Sequence, residues 1–282
     1  MHFKRSNLKK FFIAIKFYFL IKFHKYNMIN PKVSCFCATY GRTKLLEEAI
    51  HSFLLQDYEG EKELVVLNDF SEQTLIFNHP EVKIINLKER ITPLSKKFND
   101  CISYCTGKYV FVWEDDDIYL PWKISLSIKN INSHGIFHTG DAFIEQSKNN
   151  LIQCRNLHHA SLCMDIDCWK NVDFYSVLDT DKCDLDVVLF RKISSKYGHI
   201  HQIIKKEEIF YIYRFGSSED YHGSSFGASK ENISEDAKKY VENKIKSNKE
   251  PVGEIILNPN WKYDYLEARN ISINHSSLPK AP

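Results

Sequence analysis

Four consecutive carboxylates, Glu114, Asp115, Asp116 and Asp117, follow the apolar run Tyr109-Val110-Phe111-Val112-Trp113 and precede Pro121. Each ionised neighbour makes the next harder to ionise, so such a cluster at the end of a buried strand calls for a counter-charge. A divalent cation, Mg2+ or Mn2+, is the usual one for oxygen ligands. A solvated acidic turn is the plain alternative. It gives no reason for the carboxylates to follow aromatic and β-branched residues instead of a polar loop.

The elements that would position this run alternate strand and helix from Val33 onward, the pattern of an α/β fold with a mostly parallel sheet. Val33–Thr39 reads as a first buried strand and Tyr40-Gly41-Arg42-Thr43 as its turn. A helix over Lys44–Gln56 then puts Leu45, Leu46, Ala49, Ile50, Phe53 and Leu54 on one face, with Thr43 as its N-cap. Glu63–Leu67 is a second strand ending at Asn68-Asp69, and Val82–Leu87 a third. Polar residues at such strand exits fall at the carboxyl end of the sheet, where open α/β folds bind ligands.

Ser95–Cys105 reads as a helix stopped by Gly107, and Trp122–Ile131 as another. Gly135–Ile144 reads as one strand carrying Asp141. Further elements are expected at Leu162–Trp169, Cys183–Tyr197, His199–Ile204 and Ile209–Tyr213. The lysine- and asparagine-rich stretch 230–249 marks a soft boundary, and the tail from Ile271 is expected to be loosely held.

The chain has 282 residues, 43% hydrophobic and 26% charged, enough for a substantial core and unlike a disordered or fibrous sequence. Its formal charge of +2 is unevenly spread. Residues 1–32 hold eight basic side chains and no acidic one, which leaves 30 basic against 36 acidic residues in the body. A body of that sign is a poor general nucleic-acid binder. The eight cysteines include no C-x-x-C pair and read as neutral or buried thiols of a reducing, cytoplasmic compartment.

Residues 11–23 are apolar except for two lysines, yet fall short of the about 20 residues a spanning helix needs. With basic flanks they suit peripheral contact with an anionic membrane face. No small-residue cleavage site follows, as a signal peptide would require. Translation starting at Met28 is the other open reading of this leader.

Four motifs carry a family resemblance in order and register. Ala38-Thr39-Tyr40-Gly41-Arg42 is similar to a P-T-Y-N-R turn, and Glu63–Ser71 to an E-I-I-V-V-D-D-G-S segment. Lys97-Phe98-Asn99 stands where A-R-N is common, and Glu114–Asp117 with Pro121 resembles a D-x-D-D-x-x-x-P motif. From about Pro31 to Gly227 the chain resembles a family 2 glycosyltransferase of the GT-A fold, bacterial in type and inverting. The resemblance implies a single Rossmann-like, mostly parallel sheet flanked by helices, with a C-terminal acceptor-side portion. It divides the chain into a leader at 1–29 and a transferase domain at 30–228. The nucleotide-binding half would be about 30–121 and the acceptor half about 122–228, followed by a helical extension and loose tail at 229–282.

The same resemblance implies a hexosyltransferase using a nucleotide-sugar donor, UDP-linked, and a glycan or lipid-linked acceptor in polysaccharide or glycoconjugate synthesis. Thr39, Tyr40, Arg42, Asp69, Lys97, Asn99, Glu114, Asp115 and Asp116 would bind the donor. Asp116, Asp117 and His222 would hold the Mn2+ or Mg2+. Asp184 would be the general base with Asp186 beside it, and Asp181 a reserve. The positions that depart from the family are Glu114, where the first acid is usually Asp, and Cys183, where Glu is usual. They keep a catalytically silent module that binds a glycan or protein open as a second reading. A pyrophosphorylase would show a longer glycine-rich basic loop after the first strand, and a dinucleotide oxidoreductase a G-x-G-x-x-G.

Overall fold

The computed structural model describes residues 30–147, 150–177, 185–214, 250–262 and 264–275. The leader, Asp181, Asp184 and His222 lie outside the described residues. Strand β1 (Val33–Thr39) is buried at every position, as expected of a strand covered on both faces. It runs through Gly41, whose φ of 61° is one that few side chains other than asparagine tolerate, into helix α1 (Thr43–Leu54). The expected cap at Thr43 is displaced by one residue. Arg42 holds the N-cap position and makes no side-chain cap bond, since a guanidinium has no acceptor for the first-turn amides; it reaches instead to the acidic run, while Thr43 accepts from Gln73.

Strands β2 (Lys62–Asn68), β3 (Gln73–Ile76) and β4 (Val82–Asn86) follow, then helix α2 (Leu94–Ser103), β5 (Tyr109–Val112), β6 (Ile118–Tyr119) and α3 (Lys123–Lys129). The second half contains β7 (Ile136–Thr139), β8 (Asp141–Ser147), β9 (Asn150–Arg155), β10 (Cys163–Asp165), α4 (Ile166–Asn171) and α5 (Leu185–Tyr197). It ends with β11 (His201–Gln202), β12 (Tyr211–Tyr213), β13 (Gly253–Ile256) and α6 (Tyr265–His275).

Seven strands form the main sheet in the order β11-β7-β10-β5-β1-β2-β4. All neighbours are parallel except β10, which runs antiparallel to β5 and β7. This is the large, mostly parallel sheet expected from the strand-helix alternation. Two smaller sheets accompany it, β6-β12-β8-β9 and β13-β3. The single strand expected over Gly135–Ile144 is two strands in different sheets, broken at Gly140, where a Cβ would approach the Asn156 carbonyl to 2.7 Å.

Alternation along β1 divides the core. Cys35 and Cys37 face a cluster containing Leu46, Phe53, Trp113 and Phe143, while Phe36 and Ala38 face one containing Phe98, Trp169, Leu189 and Phe190. Tyr265 and Ala268 of α6 are 1% exposed and join the first cluster, so the described part of 250–275 packs with the body. Among the described residues no helix is long and apolar enough to cross a membrane. The described cysteines are all unbridged, and Cys35 is pushed up to about 12 by burial.

Lys123 opens α3, yet it is 0% exposed. Its ammonium donates to the carbonyls of Val112 (2.6 Å) and Ala160 (2.8 Å) and lies 3.6 Å from the centre of the Tyr119 ring. It thereby ties the end of β5 to the turn at His159–Ser161. Burial lowers its pKa to about 7. An unfolded lysine keeps its proton to about 10.4, so between pH 7 and 10 the unfolded chain binds more protons at this site and folding is favoured as pH rises. Lys123→Met should lose about 1–3 kcal/mol at pH 7 by stranding two carbonyls. In urea titrations its deficit against the wild type should grow from pH 7 to pH 9.

Candidate active site

Parallel pairing brings three strand exits to one edge. Thr39 lies opposite Asn68 across β1 and β2, and Phe36 opposite Val112 across β1 and β5. The residues after these strands, Tyr40 to Arg42, Asp69 and Glu114 to Asp117, therefore emerge side by side.

Asp69 is 2% exposed, and its carboxylate accepts from the Lys97 ammonium at 2.5 Å and from the Ile91 amide at 2.8 Å. Lys97, expected on a solvated helix face, is 4% exposed and also donates to the Thr39 carbonyl at 2.6 Å. Its pKa is lowered by burial, against the opposing pull of Asp69. Tyr40 stands above this pair, 5.1 Å from the Phe70 ring and 4.4 Å from the Arg90 guanidinium carbon. An open groove of about 520 Å3, lined by residues 87–92 and Lys96, adjoins it.

Arg42 grips the acidic run with its whole fork. Nε donates to Asp115 at 3.1 Å, one terminal nitrogen to the other Asp115 oxygen, and the second terminal nitrogen to Asp116 at 2.6 Å. Burial nevertheless raises the Asp115 pKa to about 6, helped by Asp116 and opposed by Arg42 and a hydrogen bond from Thr39. Asp117 accepts from the Tyr211 hydroxyl (2.5 Å) and the Arg214 amide (3.0 Å). The Arg214 guanidinium donates to the Asp116 carbonyl and to Glu48, itself buried. Side-chain exposure falls unequally along the run: 23% for Glu114, 0% for Asp115 and 9% for Asp116.

Glu114 turns aside to His159, whose Nδ1 is 3.0 Å from one carboxylate oxygen, and the other ring nitrogen meets the Tyr175 hydroxyl. The Asn99 amide holds the backbone of Tyr175 from both sides, at 2.9 and 3.0 Å. Asp186 sits in the first turn of α5 and accepts from the Val187 amide at 2.8 Å; burial raises the Tyr175 pKa, with Glu114 and Asp186 adding to it.

Sequence reasoning gave no role to Lys123, Glu48, His159 or Tyr175. Lys123 and Glu48 occupy helix positions indistinguishable from solvated ones, and the pair His158-His159 carries no spacing motif. Among the described residues no group of three or more His, Cys, Asp or Glu side chains converges on a metal point. The residues present fit a different kind of cation site. Asp116, its side chain 9% exposed against 0% for Asp115, with a guanidinium already against both, would be the carboxylate left to a Mg2+ or Mn2+ that takes one or two protein carboxylates and completes its shell with phosphate oxygens.

Residues 34–157 match the family model described as Glycosyl transferase family 2. An uncharacterized glycosyltransferase of Rickettsia prowazekii (strain Madrid E), RP339, is 27% identical over 192 residues, covering 64% of this chain and 59% of the relative. The putative glycosyltransferase EpsE of Bacillus subtilis (strain 168) is 28% identical over 113 residues, covering 37% of this chain and 40% of the relative. The chain thus spans less than two thirds of these relatives. Among solved structures, S. aureus TarS aligns with a TM-score of 0.49 at 14% identity, over 65% of this chain and 36% of TarS. The mannosyltransferase PcManGT from Pyrobaculum calidifontis, in complex with GDP-Man and Mn2+, aligns with a TM-score of 0.49 at 14% identity, over 67% of this chain and 58% of that one. The stretch similar to the glycosyl transferase family 2 model, residues 34–157, runs from β1 through β9 and includes Asp69 and the whole acidic run.

Proposed function

We propose that the protein is a metal-dependent, inverting glycosyltransferase that moves a hexose from a UDP-linked donor to a glycan or lipid-linked acceptor in polysaccharide or glycoconjugate synthesis. The observation that carries the proposal is the adjacency of two charged pairs at the carboxyl ends of parallel strands, Asp69 with Lys97 and Asp115–Asp116 with Arg42. The first pair suits a nucleobase. A carboxylate oxygen keeps lone pairs for a uracil imide N–H, the neighbouring ammonium can donate to a base carbonyl, and Tyr40 offers a ring face. The second suits a diphosphate held through a cation.

A bound Mg2+ or Mn2+ supplies electrostatic stabilisation of the departing diphosphate, with Asp116 as its protein ligand. The chain's own residues do the rest. Thr39 and Lys97 fix the nucleoside end, and Arg42 holds Asp115 and Asp116 at fixed separation. Glu114 meets the sugar or ribose. The acceptor hydroxyl attacks the anomeric carbon from the face opposite the diphosphate, the bond to the diphosphate oxygen breaks, and the acceptor proton passes to a carboxylate at the start of α5. Asp184 is the assigned base and Asp186 its neighbour.

Asp116→Asn should abolish Mn2+-dependent UDP binding and hydrolysis of UDP-sugars while leaving the melting temperature within a few degrees. Unchanged turnover would rule out Asp116 as the ligand, and no response of the wild type to any nucleotide would favour the silent module. Because Asp115 is raised to about 6, its charge is present above that pH and lost below it. Cation-dependent UDP affinity measured by calorimetry should therefore be flat from pH 7 to 8 and fall by about tenfold per unit below pH 6.

A further inference from the structure

The sequence puts glutamate where its family's motif has aspartate, and the structure contains what that exchange needs. Glu114 Oε1 lies 3.0 Å from His159 Nδ1, and His159 Nε2 meets the Tyr175 hydroxyl. His159 is 9% exposed and Tyr175 is 1% exposed. The directions of donation follow from the chemistry. A carboxylate only accepts, so Nδ1 is the donor to Glu114, and the phenol is the donor available to Nε2 as the ring's acceptor. Burial and the nearby carboxylates Glu114 and Asp186 raise the Tyr175 pKa well above its ordinary value, so the phenol stays a donor.

The relay is rigidly backed. The Phe98 ring stacks on His159 at 5.8 Å and 17°, Asn99 clamps the Tyr175 backbone from both sides, and the Tyr119 hydroxyl accepts from the Glu114 amide at 2.8 Å. Glu114 Oε2 has no partner among the described residues. Its side chain is more exposed than those of Asp115 and Asp116.

We propose that His159 is a positioning residue for the donor sugar, held by Tyr175, which draws the longer Glu114 side chain back so that its second oxygen can accept a hydrogen bond from a sugar hydroxyl. This rests on the proposed nucleotide-sugar reading. An untethered glutamate would spread over several rotamers and lose orientation, whereas a carboxylate fixed at one oxygen presents the other in a single direction. The relay also gives Lys97-Phe98-Asn99 a divided role: Lys97 serves the base side, while Phe98 and Asn99 hold the sugar side.

The test separates nucleotide from sugar. Calorimetry with Mn2+ would measure UDP, UDP-glucose and UDP-N-acetylglucosamine binding to the wild type, His159→Phe, Tyr175→Phe and Glu114→Gln. His159→Phe keeps the stack on Phe98 but removes both hydrogen bonds; Tyr175→Phe removes only the hydroxyl and carries the test if the first variant does not fold. UDP affinity should stay within about twofold of the wild type in the His159 and Tyr175 variants. The affinity of the sugar nucleotide that the wild type prefers should fall at least fivefold, and the His159→Phe/Glu114→Gln double variant should fall no further than Glu114→Gln alone. Unchanged sugar-nucleotide affinity, equal losses for UDP and its sugars, or additive losses in the double variant would overturn the assignment. A wild type that binds UDP but gains nothing from the sugar would also overturn it. A wild type that binds neither would overturn the nucleotide-sugar reading beneath it.

Discussion

The grip of Arg42 on Asp115 and Asp116 is the interaction around which this edge of the protein is arranged. Asp115 is fully excluded from water, and an unpaired carboxylate there would cost several kcal/mol. Arg42 meets it bidentately from a turn 73 residues away in sequence, so the acidic run cannot be held unless β1 and β5 are paired in the observed register. Helix α1 begins at this same turn without the side-chain cap that a threonine would have given it, since the capping position is occupied by a residue committed across the cleft. Packing of Leu46, Ile50 and Phe53 into the core stands in place of the cap.

Around that grip the backbone of the run is fixed from several sides. Lys123 holds the Val112 carbonyl from below, Tyr211 and the Arg214 amide take up Asp117, and the Arg214 guanidinium takes the Asp116 carbonyl. Arg214 also ties the run to Glu48 on α1 and to Tyr265 on α6, and Glu48 accepts from the Lys262 amide. A buried Arg–Glu contact is costly to break and contributes little net stability, so its use here is geometric. Rigid anchoring of Asp115 and Asp117 leaves Glu114 and Asp116 as the carboxylates of the run that a ligand can reach.

The legible parts of the sequence were those where one pattern decides the outcome. β1 and β2 are continuous apolar runs, and α1 has an apolar stripe with a period near 3.6. Strands β3, β9 and β13 escaped because they are short or at sheet edges, and β13 pairs with β3 across some 180 residues of chain that no local pattern records. Acidic and basic positions near strand exits were legible as types but not as pairs. Lys97 and Lys123 look like surface lysines until the sheet closes over them, and Glu48 and Arg214 reveal themselves only through each other. Asp184 and His222 lie outside the described residues, so of the two positions read as catalytic only Asp186 is described.

Charge balance links these pairs to the proposed chemistry. Lys97 offsets Asp69, and Arg42 offsets one of the two charges of Asp115 and Asp116, which leaves about one negative charge there and another on Glu114 when all are ionised. A nucleoside diphosphate sugar brings about two more negative charges to the same edge, an arrangement that repels in a partly desolvated cleft. A monovalent side chain such as Arg42 can satisfy the carboxylates of the empty site but cannot also balance the diphosphate. A divalent ion held by Asp116 would do so, and Glu114, hydrogen-bonded to His159, would keep its own charge off that axis. The glutamate substitution and the histidine that restrains it are therefore consistent with a cleft that separates the carboxylate meant for a cation from the one meant for a hydroxyl.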